Sequence, residues 1–375
     1  MKKTLLAAAM LAAFSGAASA ASVTLYGTID TGLLYQHQKA DGMDSTNTVS
    51  METGQKDTSV WGLTGSEKIG DAEVSFKLEN SFNSDDGTRT DDRLFDREAQ
   101  VSVSGRYGTL SAGRLGALSA AVGTYDMVYL VGDAYDGGDG DAFGLAAAPT
   151  LDNALAYQTP SFAGFKATLM YSFNADQVSN SSRENTSMVD RYFGGAINYE
   201  KGNFQAVLAY EYLNRASAGD AASPLSKNGQ LVNLGFNYNF ENVAQVFLLG
   251  QYFKGWDLSA AGGESLTDSY GVDADDVLGA YDKGLEGWGA HLGAIFPVAG
   301  GDLTGALYYV DSKAKSSQGL KDADLTYFGA SVRYSYPLSK RTSIYAGARY
   351  SQAKAKDFDA KLQTTSVYTG LSHSF

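Results

Sequence analysis

The segment FQAVLAYEY (Phe204–Tyr212) decides the fold. Phe204, Ala206, Leu208, Tyr210 and Tyr212 fall on one side of an extended chain, with Gln205 and Glu211 on the other. Period-two alternation marks a strand whose two faces meet different surroundings, whereas a helix would repeat every 3.6 residues. The pattern recurs in both directions along the chain. Upstream, Val23, Leu25, Ile29, Leu33 and Tyr35 oppose Thr24, Tyr26, Thr28 and Asp30. Phe165, Ala167, Leu169, Tyr171 and Phe173 oppose Lys166, Thr168, Ser172 and Asn174. Downstream, Val232, Leu234, Phe236, Tyr238 and Phe240 oppose Asn233, Asn237 and Asn239, and Ile344, Ala346, Ala348 and Tyr350 oppose Ser343, Tyr345, Gly347 and Arg349.

Such a sheet either covers a dry core and faces water, or faces lipid and encloses a wet lumen. Three features predict the second. The segments run about 10 to 14 residues, longer than an ordinary strand and near the roughly 9–11 that cross a bilayer when tilted. Aromatics sit at segment ends, as in Tyr171 with Phe173, Tyr210 with Tyr212, Tyr238 with Phe240 and Tyr334 with Tyr336, where interfacial girdles belong. Connections alternate between short and long, as the turns and loops of a membrane barrel do. No apolar run approaches the roughly 18 residues of a membrane helix.

Composition agrees. The 375 residues include 43 Gly, 24 Tyr, 18 Phe and 3 Trp, only 5 Pro and no Cys, and 19% are charged. The missing Cys excludes disulfide scaffolds, thiolate metal sites and Cys nucleophiles. The net charge of −13 argues against nucleic acid as a partner, because neutralising phosphates takes clustered Lys and Arg. At the start, Lys2 and Lys3 precede an apolar stretch from Thr4 to Phe14 and the small-residue motif Ala18-Ser19-Ala20. Residues 1–20 are therefore expected to be a cleaved secretory signal peptide, leaving 21–375 as a single domain. Cleavage removes two of the 29 bases and none of the 42 acids, so the mature charge is −15.

The connections give the strand count. Short turns lie near Lys68–Asp71, Gly105–Gly108, Pro160–Gly164, Glu200–Asn203, Glu241–Asn242, Pro297–Gly301 and Pro337–Lys340. Seven hairpins, one strand before them (about 22–37) and one after (about 363–375) predict sixteen antiparallel strands, with eight longer loops between. The longest loop runs from about Gly116 to Pro149, and the next from about Trp256 to Asp282. Both chain ends fall on the short-turn side, so the first and last strands can pair and close an all-β transmembrane barrel without a free edge. Sixteen strands enclose an aqueous channel.

Several stretches resemble the general porins of Gram-negative bacteria, in particular the β-proteobacterial type. SVTLYGTIDTGLLY (Ser22–Tyr35) is similar to that family's first strand and WGLTGSEKIGDAEVSFKLENSF (Trp61–Phe82) to its first hairpin. LFDREAQVSVSGRYGTLSAGR (Leu94–Arg114) is similar to its fourth and fifth strands. DNALAYQTPSFAGF (Asp152–Phe165) resembles the segment after the third loop, and GLSHSF (Gly370–Phe375) the closing strand with its terminal Phe. The matches are in order and span the chain. The resemblance implies a trimeric outer-membrane barrel that passes ions and small hydrophilic solutes. It implies neither cofactor nor metal, and a third loop that folds into the lumen. It also implies that the barrel-assembly machinery reads a C-terminal signal ending at Phe375.

A channel filters by fixed charges that line its lumen. The long loop carries Asp126, Asp133, Asp136, Asp139 and Asp141, with no Lys or Arg between Gly116 and Pro149. These are the expected acidic side of a constriction. The basic wall is chosen by parity. Lys77, Arg333 and Arg349 share faces with Ser, Glu and Gly residues, and a Lys or Arg facing lipid at the bilayer centre costs about 2–4 kcal/mol. Arg114 is added from its match to the family's Gly-Arg pair. Arg97 shares parity with Ala99, Val101 and Val103 and needs a bulge to turn inward; otherwise its face is a protein contact. The basic residue that the family usually carries around Trp-Gly-Leu is absent, with Val60 and Thr64 in its place, and the loop lacks the usual Pro-Glu-Phe-Gly-type segment. A mild cation preference is therefore expected.

Two rival readings have their own signatures. An outer-membrane hydrolase needs a His-based relay, and His37, His291 and His373 have no Ser or carboxylate motif around them in sequence. A substrate-specific channel would line its path with aromatics, for which inward Tyr26, Tyr327 and Tyr345 are available. Calcium sites in the Asp-rich loops lack the twelve-residue spacing with a closing Glu.

Overall fold

The computed structural model describes residues 22–178, 182–218 and 224–375. The expected export segment, residues 1–20, lies outside them. Seventeen strand segments form one sheet: β1 (Ser22–Ala40), β2 (Thr46–Thr53), β3 (Val60–Ile69), β4 (Ala72–Ser81), β5 (Glu98–Gly105), β6 (Gly108–Gly116), β7 (Thr150–Gln158), β8 (Phe165–Ser172) and β9 (Arg191–Lys201) in the first half. The second half holds β10 (Phe204–Asn214), β11 (Gly229–Asn239), β12 (Gln245–Trp256), β13 (Gly284–Val298), β14 (Gly301–Lys315), β15 (Ala323–Pro337), β16 (Thr342–Ala355) and β17 (Ala360–Ser374). Neighbours are antiparallel throughout. β17 returns to pair with β1, from Thr28 opposite Ser374 to Ala40 opposite Leu362, and closes the barrel.

Seventeen segments make sixteen staves, as the turn count predicts, because β2 and β3 lie end to end along β1. Thr46–Thr53 pairs with Thr31–Gln38, and Val60–Ser66 with Ser22–Thr28. Asp30 holds the break open. Its carbonyl oxygen accepts from Gly54 N–H at 3.2 Å and Ser59 Oγ at 3.0 Å, and its carboxylate from Asp57 N–H at 3.0 Å. The sequence did not announce β2, whose residues TNTVSMET are polar and mostly exposed.

All seven short turns fall where Gly, Pro and Asn placed them. Gly108 shows why one of them needs glycine: its φ is +117°, and a Cβ there would lie 2.2 Å from the Gln158 carbonyl oxygen. The outward alternation is intact. Leu208, Leu292 and Val367 are about half exposed, at 51%, 51% and 53%, and such apolar side chains are stable only against lipid or protein. Tyr171 with Phe173, Tyr238 with Phe240 and Trp288 with Tyr309 form ring pairs at 4.9, 4.6 and 5.4 Å on that surface.

The inward face departs from a uniformly wet lumen. Along β9 to β14 it is largely apolar and buried: Ala196, Val207, Leu231, Leu249, Phe253, Leu285 and Val310. Two loops cover it. The third loop, residues 117–149, contains the short helix α1 (Val128–Gly132); the sixth, 257–283, contains α2 (Gly263–Ser269) and α3 (Ala274–Ala280). Leu118, Met127, Val128, Tyr129, Leu145, Leu258, Leu266 and Leu278 from these loops join the wall residues in one apolar cluster. A wall that meets protein on one face and lipid on the other needs apolar residues on both, which is why Val207 and Ala209 break the alternation of β10.

Candidate channel constriction

The five loop acids do not form one free-standing acidic edge. Asp139 and Asp141 lie beside two wall arginines: Arg333 and Arg349 approach Asp139 at 3.8 and 3.7 Å, and Arg349 approaches Asp141 at 3.6 Å. Tyr368 donates to Asp139 at 2.6 Å and Gln36 to Asp141 at 2.7 Å. The Tyr327 hydroxyl donates to the Asp141 carbonyl oxygen. Aromatic faces brace both arginines, Arg333 over Tyr135 at 4.7 Å and Arg349 over Tyr368 at 5.1 Å. Burial pushes the Asp139 carboxyl above the usual range, against the pull of Tyr368 and the two guanidiniums.

Asp133 is buried and accepts from Tyr308 at 2.9 Å and from Tyr135 N–H at 2.9 Å. His291 Nε2 lies 3.5 Å from the same carboxylate and accepts from Ala134 N–H at 3.2 Å. No carboxylate motif surrounds His291 in sequence; the loop brings this one from far along the chain. Burial pushes the Asp133 carboxyl up to about 6. Asp126 and Asp136 hydrogen-bond to each other. Burial, then the neighbouring charge, raises Asp126 well above the ordinary range.

The remaining bases are spent elsewhere. Lys77 contacts Glu98 at 2.6 Å and Glu79 at 3.3 Å, and Arg97 Nε contacts Glu79 at 2.7 Å. Tyr26 donates to Glu79 at 2.7 Å. Glu98 accepts from Thr124 N–H at 2.8 Å, which ties this cluster to the loop. Arg97 turns inward without a bulge, because it precedes β5 and the strand's parity does not bind it. Arg114 is a correction: it does not meet the loop acids. The β6–β7 ladder slips by one residue, with Asp152 and Asn153 of β7 set against the single Arg114 of β6, and Arg114 bonds to Asp152 at 2.5 Å beside Arg93. Among the described residues, the loop acids therefore have ion pairs with two of the five expected arginines and lysines.

Sequence reasoning missed the polar residues set into the apolar wall. Several of them are bonded to the third loop. Gln251 donates to the Ala146 carbonyl and accepts from its N–H, both at 2.8 Å, and Asn237 donates to the Val131 carbonyl at 2.9 Å. Glu211 accepts from Ser119 Oγ. The available signal was a single polar residue at an inward position of an otherwise apolar face. At the seam, Phe375 and Gly27 exchange backbone bonds at 3.0 and 3.3 Å, and Val367, Leu371 and Phe375 are exposed on the outward face.

A closed sixteen-stave barrel with acid–base contacts between its longest loop and its wall is what a known family of barrels shares. The Gram-negative porin profile matches residues 7–356. The chain belongs to the Gram-negative porin family. An outer membrane porin protein of Bordetella pertussis is 33% identical over the whole of both chains. Outer membrane porin protein 32 of Delftia acidovorans is 32% identical, covering 99% of this chain and 95% of its own. Among solved structures, the anion-selective porin from Comamonas acidovorans superimposes with a TM-score of 0.67 at 24% identity, over 95% of this chain and all of that one. This porin is thus a β-barrel of the Gram-negative outer membrane.

Proposed function

We propose that this porin is a passive diffusion channel for ions and small hydrophilic solutes, with no catalytic step. On this reading residues 1–20 are removed on export, Phe375 ends the assembly signal, and the third loop lies across the lumen as the constriction. The observation that carries the reading is the contact of Asp139 and Asp141 with Arg333 and Arg349, which joins the loop tip to β15 and β16. Trimerisation is part of the proposal. The outward faces of β1, β2, β5 and β6 expose Leu33, Met51, Val101 and Leu110, small to medium apolar side chains that suit packing between copies.

The charge preference is proposed to be mild and for cations. Five acids without a base in the loop, and the mature charge of −15, favour it. Its size is limited because Asp139 and Asp141 are paired, Asp133 is buried, and Asp126 and Asp136 are hydrogen-bonded to each other. The Comamonas relative is anion-selective, so reversal potential in a salt gradient across a planar bilayer is the deciding measurement. A modest potassium preference is expected, and a clear chloride preference overturns it. The second reading, a substrate-specific channel, draws on Tyr26, Tyr327 and Tyr345, whose hydroxyls all point inward. Saturable block by one solute supports that reading; flux that falls smoothly with solute size supports the general channel.

A further inference from the structure

We propose that Glu211 is the positioning residue that fixes where the third loop crosses the barrel. The inference deepens the constriction reading and rests on it. Glu211 is 1% exposed on β10, with Ala209 and Leu213 as its neighbours on the inward face. Among the described residues no Lys, Arg or His forms an ion pair with it. A buried carboxylate without a cation is costly unless several donors surround it.

The loop and Tyr192 of the adjacent strand β9 supply those donors. Ser119 Oγ donates to one carboxylate oxygen, and Tyr192 donates to the other at 2.6 Å. The backbone N–H groups of Leu118 and Ser119 also point to it. Tyr192 in turn accepts from Leu118 N–H at 3.5 Å. Ser119 then reaches the far end of the loop: its carbonyl accepts from Ala148 N–H at 3.0 Å, and its hydroxyl from the same group at 3.4 Å. One wall carboxylate therefore holds both the beginning and the end of the loop. The other hooks, Asn237, Gln251 and His291, each hold the loop at one point. An apolar residue here would pack with Ala209 and Leu213 equally well. The carboxylate is explained by the donors that only this loop route presents.

The test is Glu211→Gln, with Ser119→Ala as the same cut made from the loop side. Gln keeps the size but turns an amide donor toward donors. Charge-assisted hydrogen bonds lost at a buried site correspond to a roughly 10–100-fold rise in opened loop states. The readouts are single-channel conductance, open-channel current noise and the voltage of closure, with thermal unfolding of the detergent-solubilised protein alongside. Both variants are expected to show raised noise, sublevels and closure at lower voltage. Ser119→Ala is expected to leave barrel unfolding unchanged, and the double variant to add little to either single one. If Glu211→Gln fails to assemble, Ser119→Ala alone carries the test, because it removes no strand residue. Wild-type conductance, noise and closing voltage in Ser119→Ala would overturn the positioning role. A wild-type protein that does not conduct would instead overturn the channel reading itself.

Discussion

The two sides of this barrel are built from one kind of strand and serve different ends. On β1, β4, β5 and β15 to β17 the inward face is polar: Asp30, Glu79, Glu98, Gln100, Arg349, Ser366 and Ser372. On β9 to β14 it is mostly apolar, and several of the polar residues that break it, Glu211, Asn237, Gln251 and His291, hook the third loop. The polar side holds charges in place by pairing them, whereas the apolar side holds the loop by packing and a few hydrogen bonds. On the constriction reading proposed above, the difference teaches that the passage is eccentric: packing occupies one side, so the open path runs along the other. A change on the polar side should move selectivity, and a change on the apolar side should move stability.

The largest expected effect is on the polar side. Arg349→Ala leaves Asp139 buried beside Arg333 alone, and removing one partner of a buried charge pair costs about 3–5 kcal/mol locally. The loop tip should detach, so conductance and potassium preference should both rise while the barrel stays folded. Unchanged single-channel conductance and reversal potential would erase the proposed difference between the sides. On the apolar side, Leu249→Ala is the matching cut. Leu249 packs where a Cβ on Gly132 of α1 would sit 3.1 Å from its side chain. Leu-to-Ala changes in cores cost about 2–5 kcal/mol. Thermal unfolding should drop and the reversal potential should not move; a selectivity change here would break the comparison.

How much of this was legible in the sequence follows the same division. The staves, turns and inward placement of Lys77, Arg333 and Arg349 depend on local chemistry and parity, so they could be read directly. Arg114 could not, because a one-residue bulge in β7 at Asp152 and Asn153 lies opposite it and sets Asp152 against its guanidinium. The Asp133–His291 contact and the Glu211–Ser119 bond depend on the route of a 33-residue loop, set by packing against strands far away in sequence. β2 escaped because Thr, Ser and Asn on both faces leave no alternation to read.

Acidity sharpens the contrast next. Burial raises the carboxyls of Asp126, Asp133 and Asp139, so the docked loop binds protons more tightly than a free one. Such a raised acid stabilises docking fully below its unfolded pKa near 3.9 and loses that contribution as pH rises through the folded value, about 6 for Asp133. Lowering the pH from 7 toward 4.5 should therefore quiet the channel, raise its closing voltage and reduce potassium preference. Asp133→Asn, fixed in the neutral form, should be quiet already at pH 7 and respond less. A wild-type channel that grows noisier on acidification would contradict the sign.

The smallest effect concerns the polar side where it opens toward the short turns. Lys56, Arg333, Lys340 and Arg341 line a recess of about 370 Å³ with Asp57 and Asp302 among them. Lys340 and Arg341 are exposed in the turn after β15, so replacing both with Gln should leave unfolding unchanged. Two charges at a wet mouth act through water, where a unit pair several ångströms apart is worth under about 1 kcal/mol before screening. The double variant should shift permeability toward potassium by less than about three-fold at low salt. At 1 M salt, where the screening length falls to about 3 Å, the shift should vanish. The same pair of substitutions would have no such effect if the path ran instead along β9 to β14. A shift that persisted at high salt would mean that Lys340 and Arg341 touch the narrow part of the passage rather than its rim.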